Sequence, residues 1–352
     1  MLHLLRPTVL PRELIRIAQS SLSSRVATSS FSSSAASSSA APRLTFTVGT
    51  AFHGKPQDPP RKGRDGKLVI PPTKVLQGFA PDSPIARWRD ESLKDAPWGA
   101  GHDWLFQAPT EEGGVVVGVA DGVGGWEESG VDPSHFAQAL MFHAREEIAR
   151  NPGSSLKQPR EIMKVAYDGV KKEKGVVAGS STACILSFDS QKGLLNAANL
   201  GDSTFLILRD GKVIHSEPSQ CHFFNAPRQL SKLPAGRREE GSLMDSPRDA
   251  AISTTPLQRG DIIFAATDGF SDNVHLPELE QISKLVLEHQ VRDSITDAAT
   301  MDRLALACVN YARLCSFKED KVSPFELEAR NHRINFPGGK VDDVTVVTVL
   351  VS

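Results

Sequence analysis

Residues 115–126 read Val-Val-Val-Gly-Val-Ala-Asp-Gly-Val-Gly-Gly-Trp, and this stretch decides the fold that we expect. Its valine-rich first half is typical of a buried strand, because β-branched side chains pack well on a pleated surface. The strand ends at Asp121, and a glycine-rich segment begins at Gly122. A carboxylate at the mouth of a buried strand, with small residues beyond it, can present oxygen atoms to a cation or a phosphate. A single Asp-Gly pair would more simply indicate a turn.

Two later stretches repeat this design. Residues 262–269 read Ile-Ile-Phe-Ala-Ala-Thr-Asp-Gly, and Asp342-Asp343 leads directly into the apolar run 344–351. If the three strand ends converge, oxygen ligands cluster without any histidine or cysteine among them. Such a set of ligands suits the hard cations Mg²⁺ or Mn²⁺ rather than zinc.

The bulk composition excludes several classes of protein. The 352 residues carry a formal net charge of −2, which gives no electrostatic reason to expect nucleic-acid binding. The four cysteines have no zinc-site spacing, and we interpret them as buried free thiols in a reducing compartment. No run approaches the roughly 20 apolar residues that a bilayer span requires, so we expect no membrane span.

The N-terminal residues have the composition of a targeting segment. Arg6, Arg12, Arg16 and Arg25 are spread through a segment whose one acid is Glu13, and a Ser/Ala tract follows. This pattern favours a mitochondrial transit peptide over an ordinary disordered terminus, because acidic residues are so depleted. We therefore divide the chain into a transit peptide with a Ser/Ala-rich linker, residues 1–42, and one domain, residues 43–352. A location in the mitochondrial matrix follows from this division.

Consecutive strands joined by hairpin turns, followed by helices, predict an α+β fold with antiparallel sheets. A doubly wound parallel sheet would need a strict alternation of strands and helices, which is missing. We interpret residues 54–97 and 217–258 as long surface segments with little regular structure. The predicted strands are 44–48, 101–106, 115–120, 182–188, 194–200, 204–209, 212–215, 261–267 and 344–351, and the predicted helices are 161–174, 277–290, 294–317 and one opened by Asp132-Pro133.

Five ordered motifs resemble those of the metal-dependent protein Ser/Thr phosphatases of type 2C, the PPM family. They are Asp-Gly-Val-Gly-Gly at 121–125, Gly-Ser-Ser-Thr-Ala at 179–183, Ala-Asn-Leu-Gly-Asp-Ser at 198–203, Thr-Asp-Gly-Phe-Ser-Asp-Asn at 267–273 and Asp-Asp-Val-Thr at 342–345. The resemblance spans residues 44–352. Further stretches look like the mitochondrial PTC-seven homolog branch, and they lie at 122–126, 131–134, 223–231 and 336–340.

The resemblance implies a sandwich of two antiparallel β-sheets flanked by α-helices, with a site for two Mn²⁺ or Mg²⁺ ions at one end. Asp121 would bridge both ions, and the Gly122 carbonyl would bind one of them. Asp268 and Asp342 would bind the other, although the choice of Asp342 over its neighbour can be wrong by one residue. Asp103 would act near the site through water. Asp121 and Asp103 are the two candidate catalytic residues.

The activity that the resemblance implies is hydrolysis of phosphoserine and phosphothreonine on mitochondrial proteins by a water molecule activated between two metals. Phosphoproteins would be the partners, and we expect a monomer. Two departures from the family pattern motivate an alternative, a pseudophosphatase that binds phosphoproteins without turnover. Val123 stands where many members have a histidine that is proposed to protonate the leaving oxygen, and His102 stands where the family usually has an acid.

Three further assignments rest on position alone. Arg87 and Arg89 are the candidates for the phosphate-binding arginine of the family. We interpret Asp202 as a turn former rather than a ligand. Asp272 either binds an extra metal or caps the helix-like stretch that follows it.

Overall fold

Two five-stranded antiparallel sheets form the centre of the computed structural model, which describes residues 43–56, 78–151, 158–234 and 243–352. The predicted transit segment, residues 1–42, lies outside the described residues. The first sheet has the spatial order β1 (Phe46–His53), β14 (Val344–Val351), β13 (Ile262–Ala266), β7 (Thr204–Arg209) and β8 (Lys212–Ser216). The second has the order β12 (Ala251–Pro256), β6 (Leu194–Leu200), β5 (Ala183–Asp189), β3 (Val115–Asp121) and β2 (Asp103–Pro109).

Helices cover the outer face of each sheet, and the two inner faces pack against each other. The first six residues of β3 are buried, which explains why its sequence is a continuous apolar run rather than an alternating one. Val117 and Val119 belong to the same cluster as Ile207, Ile263 and Val347 of the first sheet. The helices are α1 (Pro84–Leu93), α2 (Ser134–Arg150), α3 (Pro159–Lys172), α4 (Asp268–Ser271), α5 (Leu276–Asp293), α6 (Asp297–Ser316) and α7 (Pro324–Asn331).

The α+β fold with two antiparallel sheets is therefore confirmed, and so is the hairpin between β2 and β3. Trp104 pairs with Ala120 and Asp103 pairs with Asp121, so the site residues of both strands lie at the same end of the sheet. Two short ribbons, β4 (Gly179–Ser181) with β11 (Leu230–Lys232) and β9 (Cys221–Phe223) with β10 (Ala226–Pro227), and two 3₁₀ helices, Gly124–Ser129 and Pro247–Asp249, complete the described elements.

Two surface segments contain more regular structure than their composition predicted. Helix α1 lies within residues 54–97, where the Ser83 side chain accepts a hydrogen bond from the Ala86 N–H and Pro84 begins the helix. Residues 217–258 contain β9 to β12, and the first three of these strands are only two or three residues long. Strands of two or three residues are too short to show an alternating apolar pattern, and β11 in addition pairs with the distant strand β4.

Other boundaries differ by a few residues. The helix predicted to open at Asp132-Pro133 begins at Ser134, and the Asp132 carboxylate accepts from the Ser134 N–H at 2.9 Å.

The four cysteines are free, and Cys221 is exposed, so the expectation of buried thiols is wrong for that residue. Among the described helices, none is both long and apolar enough to cross a bilayer.

Candidate metal centre

Acidic side chains at the ends of separate strands meet at one end of the sandwich. Asp121 is the last residue of β3, Asp202 lies just after β6, and Asp268 follows β13. One carboxylate oxygen from each of these residues lies within 4.8 Å of the corresponding oxygens of the other two. We call these three residues the carboxylate triad. The interpretation of Asp202 as a turn former is incomplete, because the turn after β6 also delivers its carboxylate to the site.

The triad fits a divalent cation, as its unsatisfied oxygens show. Oδ1 of Asp202 and Oδ1 of Asp268 are buried and have no hydrogen-bond partner among the described residues, and the same holds for Oδ1 of Asp103. Buried polar atoms without partners are costly, and so are adjacent buried carboxylates. A bound dication would supply both a ligand and the opposing charge, and an all-oxygen site suits Mg²⁺ or Mn²⁺.

The surroundings of these acids disfavour their charged forms. Burial and the neighbouring carboxylates, first Asp268 and then Asp103, raise the pKa of Asp121 well above its usual value. Burial and the nearby Asp343 carboxylate do the same to the pKa of Asp103, and burial with Asp268 raises the pKa of Asp202. A cation held between the carboxylates would act in the opposite direction, because it favours the ionised forms.

Two lysines hold the remaining acids of the site. The Lys340 ammonium contacts Asp268 Oδ2 and lies 2.8 Å from Asp272 Oδ2 and 3.2 Å from Asp342 Oδ2. The Lys55 ammonium lies 3.1 Å from Asp342 Oδ1. Asp342 therefore lies at the same edge as the triad but is paired with two cations. Burial alone would raise its pKa, but Lys340 and Lys55 hold the pKa of Asp342 below its usual value.

Asp343 has a different role from Asp342. Its Oδ1 accepts from the Lys55 N–H at 2.7 Å, and its Oδ2 accepts from the His102 N–H at 2.9 Å. Each oxygen thus accepts a hydrogen bond from the backbone of another segment, so Asp343 holds the segments at Lys55 and His102 together. This arrangement favours Asp342 over Asp343 as the ligand of the pair.

Asp103 is fully buried behind the triad and connects the two sheets. Its Oδ2 accepts from the Thr267 hydroxyl at 2.7 Å, and Thr267 Oγ1 in turn accepts from the Thr345 N–H at 3.0 Å. Neighbouring His102 has its Nε2 at 3.0 Å from a carboxylate oxygen of Glu127. Asp103 therefore has one fixed oxygen and one unpartnered oxygen at the predicted site.

Glycine at position 122 is required by close backbone contacts. A Cβ at this position would lie 2.5 Å from the Pro133 carbonyl oxygen and 2.9 Å from the His102 carbonyl oxygen. The segment that follows Asp121 is thus pressed against two other segments, which fixes the position of Asp121. The role of the Gly122 carbonyl as a ligand stays a prediction.

Some candidates are not brought to the triad. Arg87 and Arg89 lie on α1, where Arg87 donates to the Asp82 carbonyl and Arg89 pairs with Asp90. The cations that do lie at the site, Lys55 and Lys340, were missed, although Lys340 belongs to the stretch 336–340 that carries part of the family resemblance. No sequence pattern marks a lysine on a loop as part of a distant acidic site.

Asp272 does not cap the following helix, so that alternative is wrong. The N-cap of α5 is His275, whereas Asp272 ends α4 and receives the Lys340 ammonium. Burial and the Asp268 carboxylate, opposed by Lys340, raise the pKa of Asp272 to about 7. Binding of an extra metal by Asp272 stays a prediction.

A groove of about 630 Å³ opens beside the triad. Asp202 and Asp272 line it, together with Cys221 and the aromatic side chains Phe224 and Phe325. Its walls come from the β9–β10 ribbon, from the segment after α4 and from α7. The groove therefore opens directly onto two acids of the site, Asp202 and Asp272.

Two antiparallel sheets with a cluster of aspartates at one end are the arrangement that the sequence motifs predicted for a phosphatase of the PPM type, and the comparisons with known proteins agree. The chain is similar to the solved structure of the photosystem II phosphatase PBCP, with a TM-score of 0.59 and 25% identity over 87% of this chain and 99% of that chain. No protein-family model matches the chain.

Relatives place the chain within this class. It is 37% identical over 282 residues to the protein phosphatase PTC7 homolog fig of Drosophila mojavensis, which covers 79% of this chain and 86% of the relative. It is also 37% identical over 238 residues to the protein phosphatase PTC7 homolog of Homo sapiens, covering 67% of this chain and 75% of the relative. The chain belongs to the family of PTC7-homolog protein phosphatases, and it is a protein serine/threonine phosphatase.

Proposed function

We propose that the enzyme hydrolyses phosphoserine and phosphothreonine on mitochondrial proteins and that two divalent cations, Mn²⁺ or Mg²⁺, serve as its cofactors. The observation that supports this most directly is the convergence of the Asp121, Asp202 and Asp268 oxygens. Asp202 and Asp268 each have a buried oxygen that finds no hydrogen-bond partner in the part of the chain that the structure describes. Asp121, Asp268, Asp342 and the Gly122 carbonyl are the proposed ligands, and the geometry adds Asp202 to them.

The chain's own residues would hold and orient the reactants. When bound, the cations make a water molecule easier to deprotonate and neutralise charge on the phosphoryl oxygens. Asp103, fixed by Thr267, is placed to accept a hydrogen bond from water through its free oxygen. Val123 cannot donate a proton to the departing serine or threonine oxygen, so that proton has to come from another group or from water.

Hydrolysis of a phosphothreonine peptide, measured with Mn²⁺ and then with excess chelator, tests the metal requirement. We expect turnover only with the metal, and we expect Asp121→Asn to remove most of it, because one carboxylate of the triad is lost. Equal rates with and without chelator would overturn the proposal.

The same assay decides the alternative of a phosphoprotein-binding pseudophosphatase, which His102 and Val123 favour. Metal-dependent turnover that disappears in Asp121→Asn would exclude it. Peptide binding without turnover, unchanged by Asp121→Asn, would establish it instead.

We further propose that residues 1–42 direct the protein to the mitochondrial matrix and that the enzyme acts there as a monomer. The support is compositional, since the segment combines several arginines with a Ser/Ala tract and one acid. Residues 1–42 fused to a fluorescent protein should give a mitochondrial pattern, and changing Arg6, Arg12 and Arg16 to alanine should disperse it. A dispersed pattern for the unchanged fusion would contradict the proposed address, and sedimentation of the purified enzyme tests the monomer.

A further inference from the structure

Lys340 is held in place by its backbone. Its N–H donates to Asn273 Oδ1 at 3.0 Å, and its carbonyl accepts from Asn273 Nδ2 at 2.8 Å. Asn273 is fully buried, and its own carbonyl accepts from the Lys321 ammonium at 2.7 Å. The main chain at position 340 is therefore fixed by both of its polar groups.

The side chain of Lys340 is fixed as well. It is only 14% exposed, and its ammonium lies 5.1 Å from the centroid of the Phe325 ring. The ammonium reaches Asp268, Asp272 and Asp342. Asp268 is thus shared, because it contributes an oxygen to the carboxylate triad while its Oδ2 binds Lys340, and its Oδ1 has no hydrogen-bond partner among the described residues.

A positively charged side chain beside a metal site disfavours the binding of a divalent cation there. An ammonium that donates to a carboxylate lowers the negative charge which that carboxylate offers to a metal, and the two positive charges repel each other. This repulsion is screened least between charges that are buried, as the charges at this site are.

We propose that Lys340 is a built-in counter-ion that competes with divalent cations for Asp268 and Asp342 and so sets how tightly the centre binds Mn²⁺. This inference rests on the proposed metal-binding function of these acids. The same lysine stabilises the fold when metal is withdrawn, because it neutralises carboxylates that would otherwise repel each other.

The test is the Mn²⁺ affinity of the full-length protein, measured by competition with a fluorescent chelator. For Lys340→Met we expect an affinity roughly tenfold higher than that of the wild-type protein, because a positive charge that repels the metal is removed; the size is like that of the losses seen when supporting partners of metal ligands are removed, but the sign is opposite. The melting temperature of this variant in excess chelator should be lower than that of the wild type. Lys340→Arg keeps the charge and should not bind Mn²⁺ more tightly.

Lys212→Met is the control for the loss of a lysine charge. The Lys212 side chain is 75% exposed and pairs with Glu280, and among the described residues it has no ion pair with an acid of the site. We expect this variant to leave the Mn²⁺ affinity unchanged.

Unchanged or weaker Mn²⁺ binding by Lys340→Met would overturn the inference. If that variant does not fold, Lys340→Gln replaces it, since the shorter neutral amide can still donate to one carboxylate, and the same outcomes decide. Because the readout is binding, a wild-type protein that binds Mn²⁺ without hydrolysing the phosphopeptide would refute the catalytic proposal alone.

Discussion

Asp202 shows that a turn residue can also be part of the site. Asparagine at this position keeps a short polar side chain that tolerates the turn but removes the charge. We expect Asp202→Asn to weaken Mn²⁺ binding roughly tenfold or more, on the scale of changes around metal ligands. Its melting temperature in chelator should not fall, because the pKa of Asp202 is raised by burial and the charged form is disfavoured in the fold. Unchanged Mn²⁺ affinity would return Asp202 to the role of a turn former.

Gly122 offers a second test at this scale. In Gly122→Ala the new methyl group would meet the Pro133 carbonyl oxygen at 2.5 Å, so the backbone beside Asp121 has to shift. We expect a loss of about 1–3 kcal/mol in the free energy of unfolding and a clear fall in phosphatase activity. Gly125→Ala is the control, because a Cβ there has nothing within 4 Å. Equal activity of the two variants would contradict this account.

The sequence identified two residues of the site at positions where an acid follows an apolar strand. Asp121 and Asp268 were found in this way, and the run 194–200 before Gly201-Asp202 carries the same pattern, so Asp202 could have been recognised. Lys340 could not, because its ammonium reaches the acids only through a backbone held by the distant Asn273. Charges delivered by loops depend on tertiary contacts that leave no local pattern.

At the scale of elements, Glu278 joins three segments of the helical layer. It accepts from the His275 N–H at the start of α5, from the Tyr311 hydroxyl of α6 at 2.7 Å and from the Lys321 ammonium at 2.9 Å. Burial opposes the ionised form, but these hydrogen bonds, that of Tyr311 first, lower the pKa of Glu278 below its usual value. A group of this kind stabilises the fold in its charged form.

We therefore expect Glu278→Gln to lower the free energy of unfolding at pH 7 by about 1–3 kcal/mol. The pKa is lower in the folded than in the unfolded state, so the contribution is complete above the unfolded value and is lost as the pH falls through the folded value. Melting temperatures of the variant and the wild type should converge as the pH falls through the lowered pKa of Glu278 in the folded state. Glu288→Gln, at an exposed position of α5, should change the melting temperature neither at pH 7 nor in acid. A difference that persists in acid would show that packing, not charge, is responsible.

Long elements were predictable and short ones were not. Helices α5 and α6 and the strands β3 and β14 have enough residues for their apolar pattern to identify them. Helix α7 was missed because its eight residues lie in a charged stretch, although Ser323 caps it as Ser83 caps α1. The Ser-Pro pair was the available indication in both cases.

At the scale of the whole molecule, the boundary at residue 43 can be tested directly. A protein that starts at Arg43 retains every described strand, since β1 begins at Phe46. We expect it to fold and to hydrolyse the phosphopeptide as fast as the full chain does. A protein that starts at Gly54 loses β1, which pairs with β14 over eight residue pairs, and it should be unstable or aggregate. Loss of activity on removal of residues 1–42 would refute the proposed domain boundary.

The position of β14 also constrains when this enzyme can become active. This strand lies between β1 and β13, yet it follows every other described element along the chain. On a ribosome, the first sheet consequently lacks an inner member until translation has passed residue 351, and Asp342 emerges only shortly before. A nascent chain therefore has neither a complete first sheet nor a full set of acids before this last strand is made, so the catalytic centre can be completed only once synthesis has passed it.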